Sequence, residues 1–482
     1  MNNKCQIFTP DEICEQMLNL ANYNNNLYGK KVLENSCGDG HILTKIVKRY
    51  ILSCLKSNKT VAEIKKGLEN DIYAFEVDNR HRLNCLNLLN SIVYDYGIEN
   101  VKWKILKKDY LKSEIGIKFD YIIGNPPYIS YRDLDKDVRD YIKKKYNTCS
   151  IGKFDYCYAF IEKSIIDLDT NGILVYIIPN SIFKNHYANL LRDYIKSDII
   201  EIYDYKNHRV FPNALTSSAI IKIKQNSKKN NVLYFDYSKR TFKKISKNKL
   251  GQKWCFDINE FKENNDKEII SFGSLFECSI SIATLLNKVF IIDNYEEDNN
   301  YLYADKIKIE KEILKNAISP RNKNYGKKEK IIFPYKYLKN NTLYRFSEKE
   351  FSKLYPMATK YLQLHREELD NRCSDKGSKW FEYGRSQALS HLNQKKLLIS
   401  TIVTNKVKVY LLDKFDIPYS GIYIVSKNDT SLLIAKKILE SNKFYNYVCN
   451  IGINASGDSL RITPKDIMNF EFTKKEYEIW KN

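Results

Sequence analysis

The first half of the chain alternates short apolar runs with longer stretches in which apolar residues recur at helical spacing. Residues 121–123 and 173–178 are apolar throughout, with no polar alternation, as strands buried on both faces of a parallel sheet are. Runs within 31–34, 71–78 and 102–111 read as three earlier strands, which makes 120–124 the fourth and 173–178 the fifth. Residues 199–203 and 217–224 follow as a sixth and a seventh, and their short link predicts an antiparallel hairpin at the sheet edge. Residues 232–235 could add a last strand to this domain. Between these runs, residues 11–21 form an amphipathic helix with Ile13, Met17, Leu18 and Leu20 as its apolar stripe, after Pro10 and with Asp11 and Glu12 at its positive end. A helical stretch runs through Tyr50 and Lys66, and a second amphipathic helix starts at Phe154 and ends near Gly172. Residues 130–153 are polar and basic, with no apolar period long enough for core.

The polar residues that break this pattern gather where strands end. The fourth strand stops at Gly124 and runs into Asn125-Pro-Pro-Tyr128. Pro126 and Pro127 have fixed φ and no N–H, so the strand end becomes a stiff, extended ledge. Asn125 brings an amide acceptor, Pro126 a carbonyl, and Tyr128 a flat aromatic face, which together suit a planar molecule bearing an –NH2 group. After the first strand, Gly38 and Gly40 permit close approach of backbone to a ligand before a helix N-terminus. Leu43 stands where a dinucleotide-binding turn would have its third glycine, which disfavours NAD. Glu76, at the end of the second strand, is placed to accept both hydroxyls of a ribose, with Asp78 beside it.

Composition narrows the setting. The 482 residues suffice for two domains, placed at 1–242 and 243–482. The net charge of +21 suits a polyanionic partner, although the Lys-, Asn-, Ile- and Tyr-rich composition would also follow from an A/T-rich genome. No run is long enough to span a membrane, and residues 1–6 lack the apolar core of a signal peptide, so a cytoplasmic location is expected. Eleven cysteines without a Cys-x-x-Cys pair, and six histidines without paired spacing, fit reduced thiols and no metal site.

Asn-Pro-Pro-Tyr after an apolar strand resembles the signature of the S-adenosylmethionine-dependent amino-methyltransferases of DNA bases. The resemblance covers residues 5–225 strongly and implies an α/β fold: a Rossmann-like, mixed seven-stranded sheet with helices on both faces, followed by an α+β target-recognition domain. It further implies that S-adenosylmethionine lies against Thr9, Glu34, Cys37, Gly38, Gly40, Glu76, Asp109, Tyr110 and Asn125. In this assignment Glu34 faces the amino-acid part, Glu76 the ribose, and Asp109 with Tyr110 the adenine. Asn125, Pro126, Pro127 and Tyr128 would hold a flipped-out base, with Phe211 of the Val-Phe-Pro turn on its opposite or edge side. Two positions depart from the family: Asn35 stands where proline is common, and Ile42 where an aromatic is common.

The motif order, with Thr-Pro first and the recognition domain last, goes in this family with adenine N6 and less often with cytosine N4. Double-stranded DNA is the implied partner, with a cognate restriction endonuclease as a further one, and a monomer is expected. Arg132 and Lys144 would border the DNA. In the second half, Arg321, Lys336, Arg385 and Gln387 stand in segments similar to the recognition domains of these enzymes, where such side chains read bases or meet phosphates. The same motif also serves protein-glutamine and RNA methyltransferases, which lack this long second half or carry a different one. A nuclease fused before Ile7 is not expected, and a purely DNA-binding subunit would have no use for acids at three strand ends.

Overall fold

The computed structural model describes residues 9–211, 217–256, 268–304, 307–456 and 458–482. Residues 7 and 8 before the first helix, residues 212–215 of the turn after Phe211, and Gly457 lie outside the described residues. The chain divides into two compact units, Met1–Ile258 and Asn259–Asn482, and residue 242 lies within the last strand of the first.

The first unit is built on one mixed sheet. Its strands are β1 (Val32–Glu34), β2 (Ile72–Phe75), β3 (Lys104–Leu106), β4 (Phe119–Gly124), β5 (Leu168–Pro179), β6 (Ile199–Asp204), β7 (Ser218–Lys224), β8 (Asn231–Asp236) and β9 (Thr241–Ser246). They lie in the order β3-β2-β1-β4-β5-β7-β6-β8-β9. The first five are parallel, and β7 inserts antiparallel between β5 and β6. The expected pairing of the sixth and seventh strands is present, but the pair is interior and not at an edge. β8 adds parallel to β6, and β9 closes the sheet antiparallel to β8. Sequence spacing identifies a hairpin partner, whereas β7's other partner, β5, lies far away along the chain.

Alternation along the buried strands sorts side chains between two helical layers. Val175 and Ile177 share a cluster with residues of α1 (Asp11–Leu20), α2 (His41–Lys56), α3 (Val61–Asp71) and α4 (Asn79–Tyr94). Leu174, Tyr176 and Ile178 point the other way, to α5 (Lys136–Lys145), α6 (Cys157–Asp167) and α7 (Asn189–Ile195). The result is the Rossmann-like architecture with helices on both faces, enlarged by two strands.

Helix α6 departs from expectation. It ends at Asp167, β5 starts at Leu168 well before Gly172, and the helix is buried almost all round, with only Ile166 exposed. Its polar residues are inside because they have partners. Glu162 accepts from the Asn147 and Thr148 amides at 3.0 and 2.8 Å, and Lys163 donates to Asp167 at 3.0 Å.

The second unit is α+β. Phe276–Ile280, Ile422–Ser426, Lys396–Ile399 and Val409–Leu412 form an antiparallel four-stranded sheet in that order. A second four-stranded sheet contains Ile291–Ile292, Lys330–Ile332, Leu314–Ile318 and Asp416–Pro418.

Glu162→Leu keeps the volume of the side chain but leaves the buried Thr148 amide and the part-buried Asn147 amide without this acceptor. It should cost about 2 kcal/mol in urea-induced unfolding; an unchanged midpoint would mean that Glu162 does not anchor α6.

Candidate functional site

The direction in which the sheet is wound reverses between β1 and β4, and their carboxyl ends are where ligands bind in open parallel sheets. A cavity opens there. Its wall contains Thr9, the β1 turn from Glu34 to Gly38, Glu76, Asp109, Tyr110, and Asn125 to Ile129. The structure thus brings together eleven residues singled out from sequence: Thr9, Glu34, Cys37, Gly38, Glu76, Asp109, Tyr110, Asn125, Pro126, Pro127 and Tyr128.

The turn after β1 is shaped by its glycines. Gly38 and Gly40 have φ of 53° and 89°, in the left-handed region. A Cβ at Gly40 would lie 2.6 Å from the Cys85 sulfur, so only glycine lets the turn pack on α4. Gly40 does not line the cavity; it shapes the turn that does. The Gly38 amide donates to Glu76 Oε2 at 2.9 Å and the Asp78 amide to Oε1 at 2.8 Å. Each oxygen keeps a second lone pair, enough for two vicinal hydroxyls. Asp78 itself caps α4 by accepting from the Arg80 and His81 amides.

Glu34 is only 2 % exposed, and its Oε2 is buried without a hydrogen-bond partner among the described residues. Burial, followed by the neighbouring Cys85 and Glu76, pushes its carboxyl well above the usual range. A buried acceptor of this kind at the cavity wall fits a cationic ligand group such as an ammonium, whose charge would stabilise the carboxylate. In the turn after β3, Asp109 Oδ1 accepts from the Leu111 amide at 3.0 Å, leaving further acceptor capacity. Tyr110 is almost fully buried and packs edge-on against Phe75, with its hydroxyl donating to Asp167 at 2.8 Å.

At the end of β4, the Asn125 amide nitrogen donates to Thr9 Oγ1 at 3.2 Å, and the Asn125 carbonyl accepts from Ser36 Oγ at 3.0 Å. The Tyr128 hydroxyl donates to the Ile177 carbonyl at 2.7 Å, so the ring stands fixed against the end of β5. Burial raises this phenol well above its ordinary value, and it stays protonated. Tyr156 and Phe160, one helical turn apart, complete an apolar wall with Phe75 and Ile129. The four-residue spacing of that pair at the start of α6 was the signal available for them in the sequence. Asn35, Ser36, His41, Ile42, His81 and Lys108 also line the cavity without having been singled out as ligands.

Phe211 does not line the cavity; it is 1 % exposed and packs in the cluster that holds Val210, Ile177 and Ile220. Arg132 and Lys144 are exposed, Lys144 on α5, where Arg139 and Lys143 sit over the Tyr131 ring. In the second unit Arg321, Lys336, Arg385 and Gln387 are all exposed, and Arg385 pairs with Asp375. The aromatics between them, Phe333, Tyr335, Trp380, Phe381 and Tyr383, are core residues. Arg372 secures the Trp380 segment by donating to the carbonyls of Thr284, Trp380 and Glu382.

Residues 21–211 match the model of the Eco57I restriction-modification methylase family. The chain is 25 % identical over 338 residues to the Type II restriction enzyme and methyltransferase RM.Eco57I of Escherichia coli, covering 61 % of this chain and 33 % of that one. It is 24 % identical over 525 residues to the Type II methyltransferase M.BstVI of Geobacillus stearothermophilus, covering 94 % of this chain and 87 % of the relative. Among solved structures, the Type IIL restriction-modification enzyme MmeI in complex with DNA superposes with a TM-score of 0.63 at 12 % identity. That match covers 97 % of this chain and 66 % of MmeI, so the likeness of fold extends through both units.

The Glu34 carboxyl gives a pH signature. A folded-state value raised above the ordinary 4.5 means that the unfolded chain ionises first, so stability falls as pH rises above that value. Glu34→Gln should flatten this fall in ligand-free protein, read as thermal midpoint against pH; an identical slope in both proteins would contradict the assignment.

Proposed function

We propose that this chain, a relative of the Eco57I restriction-modification methylases, transfers a methyl group from S-adenosylmethionine to the N6 amino group of adenine in double-stranded DNA. The observation that carries this reading is the geometry at the end of β4. An amide side chain and a proline carbonyl stand beside a fixed aromatic ring, in the cavity that also holds Glu34 and Glu76.

Glu34 would hold the ammonium of the cofactor, Glu76 its ribose hydroxyls, and Asp109 its adenine amino group. The buried Glu34 oxygen, without a hydrogen-bond partner among the described residues, supports the fit. When bound, the cofactor supplies a sulfonium methyl already activated for transfer. The chain's own task is orientation. Asn125 Oδ1 and the Pro126 carbonyl accept from the two amino protons of the target base, raising electron density on a nitrogen whose lone pair is otherwise spread into the ring. Tyr128 offers its face to a base that has left the stack, a step costing a few kcal/mol. Thr9, on the Asn125 amide nitrogen, steadies the side chain that does the accepting. The proton released from the methylated nitrogen can pass to water, so no dedicated base is required.

The exposed basic residues of both units and the net charge of +21 support duplex DNA as substrate. The fold likeness across both units favours DNA over a protein or RNA substrate, for which the second unit has no evident use.

Incubation with duplex DNA and S-adenosylmethionine, followed by nucleoside mass spectrometry, should yield N6-methyldeoxyadenosine. N4-methyldeoxycytidine would change the base, and methylation only of protein or RNA would overturn the reading. Asn125→Ala should lower kcat by at least 100-fold, about 3 kcal/mol of transition-state stabilisation, with cofactor Kd nearly unchanged.

A further inference from the structure

Beneath the cavity lies a chain of buried hydroxyls that ends on Asn35, the position where the family commonly has proline. Lys163 and the Tyr110 hydroxyl both donate to Asp167 Oδ2, at 3.0 and 2.8 Å. Tyr110 O also meets Ser164 Oγ at 3.3 Å, and Ser164 Oγ meets the Tyr176 hydroxyl at 2.7 Å. Asn35 contacts both Ser164 and Tyr176 through one end of its amide. All of these side chains are buried.

The protons in this chain can run in one direction only. A carboxylate accepts, so the single proton of Tyr110 points to Asp167, and Tyr110 can only accept from Ser164. The Ser164 proton is thereby committed, and that of Tyr176 must go to Ser164. The amide end that meets both oxygens finds lone pairs alone, and it must be the NH2 of Asn35. Its Oδ1 is therefore turned toward the neighbouring strand end, 3.7 Å from where a Cβ of Gly124 would lie, and it has no hydrogen-bond partner. The next residue, Ser36, donates its hydroxyl to the carbonyl of Asn125, and here the direction is unambiguous because a carbonyl cannot donate.

We propose that Asn35 and Ser36 are positioning residues that lock the Gly124–Asn125 turn to the β1 turn, with Asp167 setting the orientation through Tyr110, Ser164 and Tyr176. This rests on the methyltransferase reading of the same cavity and extends it. The turn that would seat the cofactor and the turn that would seat the base are held as one unit, so donor and acceptor keep a fixed separation. Asn35 and the Tyr176 ring together fill the space beside Gly124, and Ser36 ties Asn125 from the side.

The test uses the full chain, with S-adenosylhomocysteine affinity measured by calorimetry and kcat on duplex DNA. Ser36→Ala and Tyr176→Phe should each lower kcat about tenfold or more while homocysteine-adduct affinity stays within about twofold, because misplacement by a fraction of an ångström costs turnover before binding. Tyr176 does not line the cavity, and phenylalanine keeps the ring that lies beside Gly124 while removing only the hydroxyl that meets Ser164 and Asn35, so the loss reads out that hydroxyl chain. Ser36→Thr, which keeps the hydroxyl, should restore most of the lost turnover. Variants as active as wild type, a parallel loss of affinity and turnover, or no recovery with threonine would each overturn the proposal. A wild-type protein that methylates no DNA would instead defeat the functional reading on which it stands.

Discussion

The whole site depends on the adjacency of β1 and β4. These strands are neighbours in space but are separated along the chain by two other strands and their helices, and the sheet is wound outward from them in both directions. That reversal opens a crevice at the carboxyl ends of the strands. The ends of these two strands face one another across it, with Glu76 and Asp109 from the ends of β2 and β3 beside them. β1 ends in a buried carboxyl and a glycine turn, and β4 ends in an amide and two prolines. The Ser36 hydroxyl bridges the two ends directly.

The electrostatics of the crevice follow from how deeply each acid is buried. Glu34 is held in apolar surroundings with one oxygen unsatisfied, an arrangement that is unfavourable alone and favourable beside a cation. Glu76, by contrast, is already satisfied by two backbone amides and needs no charge partner. The two acids thus stand in different surroundings, one short of a partner and one already held by backbone. Tyr128 and Tyr110 are likewise both buried phenols, but one donates to a strand carbonyl and exposes its ring to the cavity wall, while the other feeds a buried carboxylate.

Much of this was legible in the sequence because parallel strands announce themselves. The apolar runs ending in Glu34, Glu76 and Asn125 fixed both the strands and the polar residue at each end. What the pattern could not show was long-range pairing. The β6–β7 hairpin was readable from its short link, yet the insertion of β7 beside β5 and the addition of β8 and β9 were not. Helix α6 reads as amphipathic because Glu162, Lys163 and Asp167 are charged, and only tertiary partners explain why they are inside. Asn35 was visible as a departure from proline, but its role required the spatial order of four hydroxyl and amide groups. In the second unit, aromatics interleaved with basic residues separate into core and surface, a distinction that alternation too irregular for a clear period conceals.

The central claim is that this crevice receives a nucleobase whose amino group is directed at a methyl donor. A crystal structure of the protein with a non-reactive cofactor analogue and a duplex containing its methylation site tests that claim most directly. The account predicts an adenine rotated out of the helix, its face on Tyr128 and its N6 within hydrogen-bonding distance of both Asn125 Oδ1 and the Pro126 carbonyl. An undistorted duplex, or a crevice filled by the protein's own side chains, would contradict it.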